Sequence, residues 1–493
     1  MHPLLILCFI FLYFGALVTI AWITGKNANN NDFFLGSRKS HWYLVALGMV
    51  GDSLSGVTFI SVPGTVVYQG FSYMQVVFGY LAGYAVINQV LLPLYYKLQL
   101  TSIYSFLLDR FGKFSQQTGS FYFLLSRMLG AAGRLFLAVN TIQFFVFDRL
   151  GIPFAVTVVV MIFLMLVYTF KGGIKTLVWT DSLQSILLLS GLFLSILSIS
   201  IETGWGLTTM TEKILQSDFN QVFFWDFNER NYFWKQFIGG AFIAISMTGL
   251  DQNMMQKNLS CPNLKDAQKN IYTFSIVMAI VNVFFVSLGA LLYQYAYAKG
   301  IMLAMNEGKI ITDQVFPFLA LNHLGWIAGI AFIVGLTAAT FSSADSVLTT
   351  LTTSFCIDFL NMEKRKDWDD QKKIKYRQSI HIMLSVILIL VILVFKELNS
   401  KAIIDTILTI ANYTYGPLLG LFSFGLINQR KVKDALVPVI CIIAPLLCLL
   451  LNNHSETLLN GYKFGYEMLL VNGLITMLGL LIISAPVIKL KSK

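Results

Sequence analysis

Four aspartates and two arginines stand inside long apolar runs of this chain: Asp52, Asp181, Asp251 and Asp345, with Arg127 and Arg134. A charge in hydrocarbon costs about 2.5–3.5 kcal/mol at a helix centre and usually marks an ion or solute path. Asp345 lies in the run Ala338-Ala339-Thr340-Phe341-Ser342-Ser343-Ala344-Asp345-Ser346. Ser342, Asp345 and Ser346 share one helix face by their i, i+3, i+4 spacing, and Ser343 stands on the adjacent stripe. Hydroxyl and carboxylate oxygens in a dry site suit a hard cation. Serines also let helices pack closely, but a second carboxylate at matching depth favours the cation. At 1.5 Å per residue, Asp181 and Asp345 lie about 9 and about 10 Å in from the same end of their helices. Two such carboxylates repel unless a cation or a proton sits between them.

Arg127 and Arg134, two turns apart, fall on nearly one face, about 10 Å apart along the axis. Three readings stand: they pair with the membrane carboxylates, Arg134 snorkels outward, or they clamp an anionic solute, since guanidinium pairs bidentately with carboxylate.

The elements that must position these groups are interrupted. Gly51-Asp52-Ser53-Leu54-Ser55-Gly56 and then Pro63-Gly64 break the apolar run 42–70. A discontinuous helix there frees carbonyls that can bind cations; a plain kink is the alternative. Gly239-Gly240 and Thr248-Gly249-Leu250-Asp251-Gln252 interrupt the run 234–256 in the same manner. Interrupted helices at corresponding places of two five-helix halves suggest an inverted repeat. A solute held between them would meet Ser53, Ser55, Gln75, Arg134 and Ser246.

The whole chain agrees with a membrane setting. Of 493 residues, 56% are hydrophobic and 12% charged, against about 45–50% and about 25% in soluble domains. That balance excludes a soluble enzyme, a disordered chain, a nucleic-acid-binding module and a small disulfide-stapled domain. The apolar residues suffice for about 13 spans of about 20 residues. The runs predict helices at 3–24, 42–70, 73–98, 117–147, 153–171, 176–202, 234–256, 270–298, 324–352, 376–395, 402–428, 435–452 and 466–488. A strand-like period of 2 is not seen, and in lipid only helices or closed barrels satisfy the backbone. Thr101–Gly112 reads as an amphipathic interfacial helix.

Loops 25–41, 97–116, 171–175, 257–269, 353–377 and 429–434 and the C-terminus hold most of the 35 Lys and Arg. The positive-inside bias makes that side cytoplasmic, with the N-terminus outside and the C-terminus inside. The net charge of +10 follows from those loops and does not require a polyanionic partner. The five Cys have no paired spacing and the five His lie near helix ends, which gives no disulfide framework, zinc site or histidine relay. The N-terminal apolar run lacks a preceding Lys or Arg and is too long for a signal peptide; it reads as a retained helix. No nucleophile–base pair lies in the membrane and no output domain follows the last helix, so a sensor or an enzyme is not expected.

Certain blocks are familiar. Phe33-Phe34-Leu35-Gly36-Ser37-Arg38 followed by His41-Trp42-Tyr43 resembles the opening signature of the sodium:solute symporter family. Gly172-Gly173-Ile174-Lys175-Thr176-Leu177-Val178-Trp179-Thr180-Asp181-Ser182-Leu183-Gln184 is similar to its most specific block. Asp251-Gln252-Asn253-Met254-Met255-Gln256-Lys257, with Leu264-Lys265-Asp266-Ala267, resembles its sixth core helix, and Tyr415-Gly416-Pro417-Leu418-Leu419-Gly420-Leu421-Phe422 its tenth. Together they span about 33–425.

The resemblance implies an all-α polytopic protein with a leucine-transporter-like fold of five plus five inverted helices. The expected parts of this single transport domain (1–493) are an extra N-terminal helix (3–24), repeats at 42–202 and 234–428, and two C-terminal helices (435–488). It implies a sodium site made by the carbonyls of Gly51, Leu54 and Ala339 and the hydroxyls of Ser342 and Ser343. Some family members, such as bacterial sialic acid symporters, hold a second sodium; the matching positions are Asp181, Ser342 and Ser346, with Asp345 where a further serine stands. That added acid either tightens sodium binding or carries a proton. The same relatives bind the substrate carboxylate through a third-helix Arg, matched by Arg134. The expected activity is import of a small organic solute, such as a carboxylate-bearing sugar acid, driven by one or two Na+ ions. The alternative is a proton-coupled or uncoupled carrier of the same fold. The expected setting is a multi-pass protein of the plasma or inner membrane, working as a monomer in the lipid bilayer without nucleic acid.

Overall fold

The computed structural model describes residues 3–398 and 403–485. The membrane helices are α1 (Pro3–Gly25), α2 (Trp42–Ser53), α3 (Gly56–Gln69), α4 (Tyr73–Val86), α5 (Lys113–Ile142), α6 (Phe154–Thr169), α7 (Ile174–Thr203) and α8 (Phe233–Ala244). They continue as α9 (Gln252–Leu259), α10 (Leu264–Ala298), α11 (Gly325–Ser354), α12 (Asp370–Leu398), α13 (Ile403–Ile427), α14 (Val437–Asn453) and α15 (Met468–Ile482). By length and composition, eight of the described helices can cross a bilayer, or nine if the bent pair Trp42–Ser53 and Thr58–Gln69 is one span. Phe154–Thr169, Tyr413–Ile427 and Met468–Ile482 are shorter apolar helices. Every apolar run read from the sequence holds helix; position 402, where one of those runs begins, and positions 486–488, where another ends, lie outside the described residues. Among the described residues, strand is confined to two antiparallel pairs of two residues, Met305–Asn306 with Lys309–Ile310 and Lys431–Val432 with Ser484–Ala485.

Lipid is the solvent for the outer faces. Val156, Val159, Val160, Phe163 and Val167 of α6 are exposed, whereas α11 is buried along nearly its whole length from Ala328 to Ser354. A fully buried helix needs neighbours on every side, and α11 packs on α5, α7 and α12. Small residues permit this closeness: Gly191 of α7 meets Gly335 and the Ala331 carbonyl of α11.

The run 42–70 is broken, not kinked. α2 and α3 meet at 54°, with Leu54 at φ −85°, ψ 70° and Ser55 extended. The break does not sit at Pro63, which lies inside α3. It sits where two glycines face neighbouring helices: a methyl at Gly56 would fall 2.5 Å from Thr340 Oγ1 of α11, and one at Gly51 would overlap Ser185 Oγ of α7.

The second interruption is longer. α8 ends in a π turn over Ile245–Gly249, Leu250 leaves helical geometry, and Asp251 caps α9 by accepting from the Met254 amide. The freed carbonyls find donors, as a buried helix end requires: Tyr95 Oη donates to Gly249 O at 2.8 Å and Tyr104 Oη to Leu250 O at 3.1 Å. α9 is buried at every position although it carries Gln252, Asn253, Gln256, Lys257 and Asn258. This corrects the sequence reading, which ended the helix at 256 and assigned Lys257 to a charged loop. The polar residues of α9 are satisfied inside the protein, so hydropathy mistakes the segment for a solvated one.

Thr101–Gly112 also departs from expectation. Its helix, Ser105–Arg110, buries Phe106 and Leu107, and the preceding Tyr104 reaches the α8–α9 break. The amphipathic pattern is real, but its apolar face docks on protein.

Candidate ion and substrate site

The break after α2 sets the first group of ligands. A helix end leaves its last carbonyls without intrahelical donors, and here that end lies against α7 and α11. Gly51 N donates to Ser185 Oγ at 2.9 Å, which fixes the last turn of α2 on α7. Gly56, two residues past Leu54, touches Thr340 beside Ala339. On α11, Ser343 Oγ donates to Thr340 O at 3.1 Å, while Ser342 Oγ is buried with no hydrogen-bond partner. An orphaned hydroxyl in a dry site is costly, and a hard cation is one partner that would satisfy it. Gly51, Leu54, Ala339, Ser342 and Ser343 therefore belong to touching segments.

A layer of charge lies beside them. Lys257 Nζ of α9 stands 2.6 Å from Asp181 Oδ2 of α7 and 3.2 Å from Asp52 Oδ2 of α2, all three side chains at most 2% exposed. Asn253 Nδ2, one turn before Lys257, donates to the same Asp52 oxygen at 2.7 Å. Ser346 Oγ donates to Asp181 Oδ2 at 3.1 Å, so Asp181 and the α11 serine turn do meet as the sequence suggested. Asp345 Oδ2 accepts from Tyr168 Oη of α6 at 2.6 Å and Oδ1 from the Ser346 amide at 2.5 Å. The side chain placed against Asp181 is thus a lysine that the sequence reading had put outside the membrane.

The two arginines take different parts. Arg127 Nε lies 2.6 Å from Asp251 Oδ2, and its Nη2 donates to Met247 O at 3.0 Å. Tyr415 Oη of α13 donates to the same Asp251 oxygen at 2.6 Å. Arg127 is therefore a strut across the α8–α9 break. Arg134 faces a cavity of about 300 Å³, and no salt bridge or hydrogen bond engages its guanidinium among the described residues. The cavity is also lined by Asp52, Arg127, Ser53, Ser55, Thr58, Ser61, Thr65, Tyr73, Tyr80, Tyr84 and Thr248. Its size is at the lower end of small-molecule sites, and its polar groups converge from several helices.

Two expected solute contacts are not at the cavity wall. Gln75 has both amide ends engaged elsewhere: Nε2 donates to Asn231 O at 2.9 Å and Oε1 accepts from the Phe224 amide at 3.2 Å. It pins the segment that precedes α8. Ser246 is fully buried without a partner, while Met247 and Thr248 line the cavity. The π turn adds a residue and rotates the face that an unbroken helix would have presented.

Sequence reasoning missed Lys257 and other buried charges, among them Asp358 and Arg377. Asp358 accepts from Ser102, Ser120, Ser354 and Gln116. Arg377, expected in a charged connector, is 2% exposed, with its guanidinium 4.1 Å from the Phe33 ring centre. For Lys257 one signal existed: Asn253 and Lys257 are i, i+4 and so share a face of a helix that begins at a capping aspartate.

The model of the Sodium:solute symporter family matches residues 33–440. The chain is 23% identical to the sodium/sialic acid symporter NanT of Aliivibrio fischeri, over 92% of this chain and 89% of that one. It is 23% identical to the sodium/sialic acid symporter SiaT of Proteus mirabilis, over 92% and 90%. It is 27% identical to the mouse (Mus musculus) sodium-coupled monocarboxylate transporter 1, over 83% of this chain and 66% of that one. A solved Na+-coupled sialic acid symporter, in a substrate-bound outward-open state, superposes with a TM-score of 0.82 at 20% identity, covering 97% of each chain. The fold is thus leucine-transporter-like and built almost wholly of helices.

Proposed function

The chain belongs to the sodium:solute symporter family and couples solute movement to sodium, and from that premise we propose that it takes up a small polyhydroxylated monocarboxylate, a sugar acid of the sialic acid kind. The observation that carries this reading is Arg134, a guanidinium at the wall of the cavity without a carboxylate of its own. A half-buried cation without a counter-charge calls for an anion, and a carboxylate matches the guanidinium fork. The hydroxyl-bearing side chains around it, Ser53, Ser55, Thr58, Tyr80 and Tyr84, suit a ligand rich in hydroxyls. Relatives named for sialic acid and for monocarboxylates share the carboxylate as the common element.

The coupling sodium binds the carbonyls of Gly51, Leu54 and Ala339 and the hydroxyls of Ser342 and Ser343. The unpartnered Ser342 hydroxyl supports that assignment. Leu54 lies between Ser53 and Ser55, two cavity residues. An ion that fixes the break therefore also fixes the solute wall, and each ligand lowers the ordering cost of the other. In this reading the repeats run over 42–202 and 234–428, with one interrupted helix in each. The N-terminus faces outward and the C-terminus the cytoplasm, sodium and solute enter together down the sodium gradient, and one chain suffices.

Purified protein in liposomes, given an inward sodium gradient, should accumulate labelled N-acetylneuraminic acid or a related sugar acid and lose that uptake when potassium replaces sodium. Uptake of neutral sugars alone, with carboxylates neither carried nor competing, would refute the substrate class.

A further inference from the structure

We propose that Lys257 is a resident cation at Asp181, standing where a second transported alkali ion would sit, so that this chain binds and moves a single sodium per cycle. The inference rests on the core-site reading above and extends it to the stoichiometry.

The sequence placed Asp181 at the depth of Asp345 and called for a positive charge between the carboxylates. The structure places a covalently tethered cation at Asp181, shared with Asp52 rather than with Asp345. Lys257 Nζ reaches Asp181 Oδ2 at 2.6 Å and Asp52 Oδ2 at 3.2 Å, with its side chain 1% exposed. The ammonium is not a stray surface group folded inward. It projects from α9, buried at every residue, and Asn253 one turn earlier is fixed on Asp52 Oδ2 and on Thr350 Oγ1. Three separate elements, α2, α7 and α9, converge on one amine.

Two of the other groups that a second ion would need already have partners. Ser346 Oγ is turned to donate to Asp181. The oxygens of Asp345 accept from Tyr168 and from the Ser346 amide. Of that expected ligand set, Ser342 Oγ, which also belongs to the core site, and Asp181 Oδ1, whose sister oxygen is held by Lys257, are without a hydrogen-bond partner among the described residues. A sodium on Asp181 would lie about 4 Å from the ammonium. At an effective dielectric of about 20, like charges at that distance weaken binding by about 10³-fold. A free ion would also lose to a tethered one on effective concentration, because the lysine never leaves.

The test needs only the metal. Binding of radioactive sodium (22Na+) to the purified full chain, read as ions per protein and as a Hill coefficient, should give one ion and a coefficient near 1. Lys257→Met, which keeps the bulk and removes the charge, should bind two ions with a steeper isotherm. Adding Asp181→Asn to Lys257→Met should return the count to one, and Lys257→Arg should stay at one. Two ions bound by the unmodified chain, or one ion bound by a folded Lys257→Met, would overturn the inference and leave the core site standing. No sodium bound by the unmodified chain would instead remove the core-site reading, and this inference with it. If Lys257→Met does not fold, the count on the unmodified chain still decides.

Discussion

Lys257 Nζ lies 2.6 Å from Asp181 Oδ2 inside the helix bundle, although 76 residues separate them in the chain. Asp52 completes a three-way ion pair that ties both interrupted regions to α7. Removing one partner of a buried pair leaves a charge uncompensated and costs about 3–5 kcal/mol, whereas replacing the pair with apolar groups is often neutral. Lys257→Met alone, which strands Asp52 and Asp181 together without a cation, should therefore lower the thermal midpoint strongly, and Asp181→Leu with Lys257→Met, which leaves Asp52 alone, should recover only part of it. Melting of detergent-solubilised protein, read as a double-mutant cycle, checks this; additive losses would mean that the two residues do not interact.

Arg134 and Arg127 should separate cleanly. Arg134→Gln removes the free guanidinium at the cavity, so carboxylate uptake should fall by at least about 10-fold, the scale of one charge-assisted hydrogen bond. Sodium binding and the melting temperature should hardly change. Uptake kinetics alongside sodium binding are the measurement, and unchanged uptake would contradict the clamp.

Arg127→Met should behave in the opposite sense. It leaves Asp251 buried with Tyr415 and the Met254 amide as partners and frees the Met247 carbonyl. The expected result is a loss of stability of about 3 kcal/mol or more, visible in thermal unfolding before any change in solute selectivity. A stable Arg127→Met chain with altered selectivity would move the solute contact to Arg127.

Ser342 gives a test free of folding effects. Its hydroxyl has no protein partner, so Ser342→Ala should leave stability without sodium unchanged or slightly higher. The concentration of sodium for half-saturation should rise about 10-fold, as expected for the loss of about 1.4 kcal/mol from one ligand. Ser343→Ala should raise it as well. Sodium titrations of protein stability follow both variants, because a ligand stabilises the state it binds. Equal midpoints in mutant and unmodified chains would exclude these hydroxyls as ligands.

Gln75 should act through the segment it anchors. Gln75→Leu removes the bonds to Asn231 and Phe224, so proteolysis or hydrogen exchange within 222–232 should speed up. Sodium affinity should stay within about 2-fold, since about 0.4 kcal/mol is the scale of an indirect effect. A selective loss of solute affinity without faster exchange would restore Gln75 to the solute site.

Local pattern made much of this protein legible from its residues alone. Composition and apolar runs of about 20 residues announce membrane helices because lipid leaves the backbone no other open arrangement. Glycine-rich interruptions at 51–56 and 248–252 announce the two breaks, since local sequence controls where a helix can stop. The cost of a charge in hydrocarbon singles out Asp52, Asp181, Asp251, Asp345, Arg127 and Arg134 from sequence alone. What each charge faces was not legible. Pairing depends on how helices far apart in the chain are rotated and set against one another. A few extra helical residues carried Lys257 into the core, and a single π turn moved Ser246 off the cavity wall. Only tertiary structure decided that Arg127 is spent on Asp251 while Arg134 is free, and that the carboxylate of Asp181 meets an ammonium of its own chain.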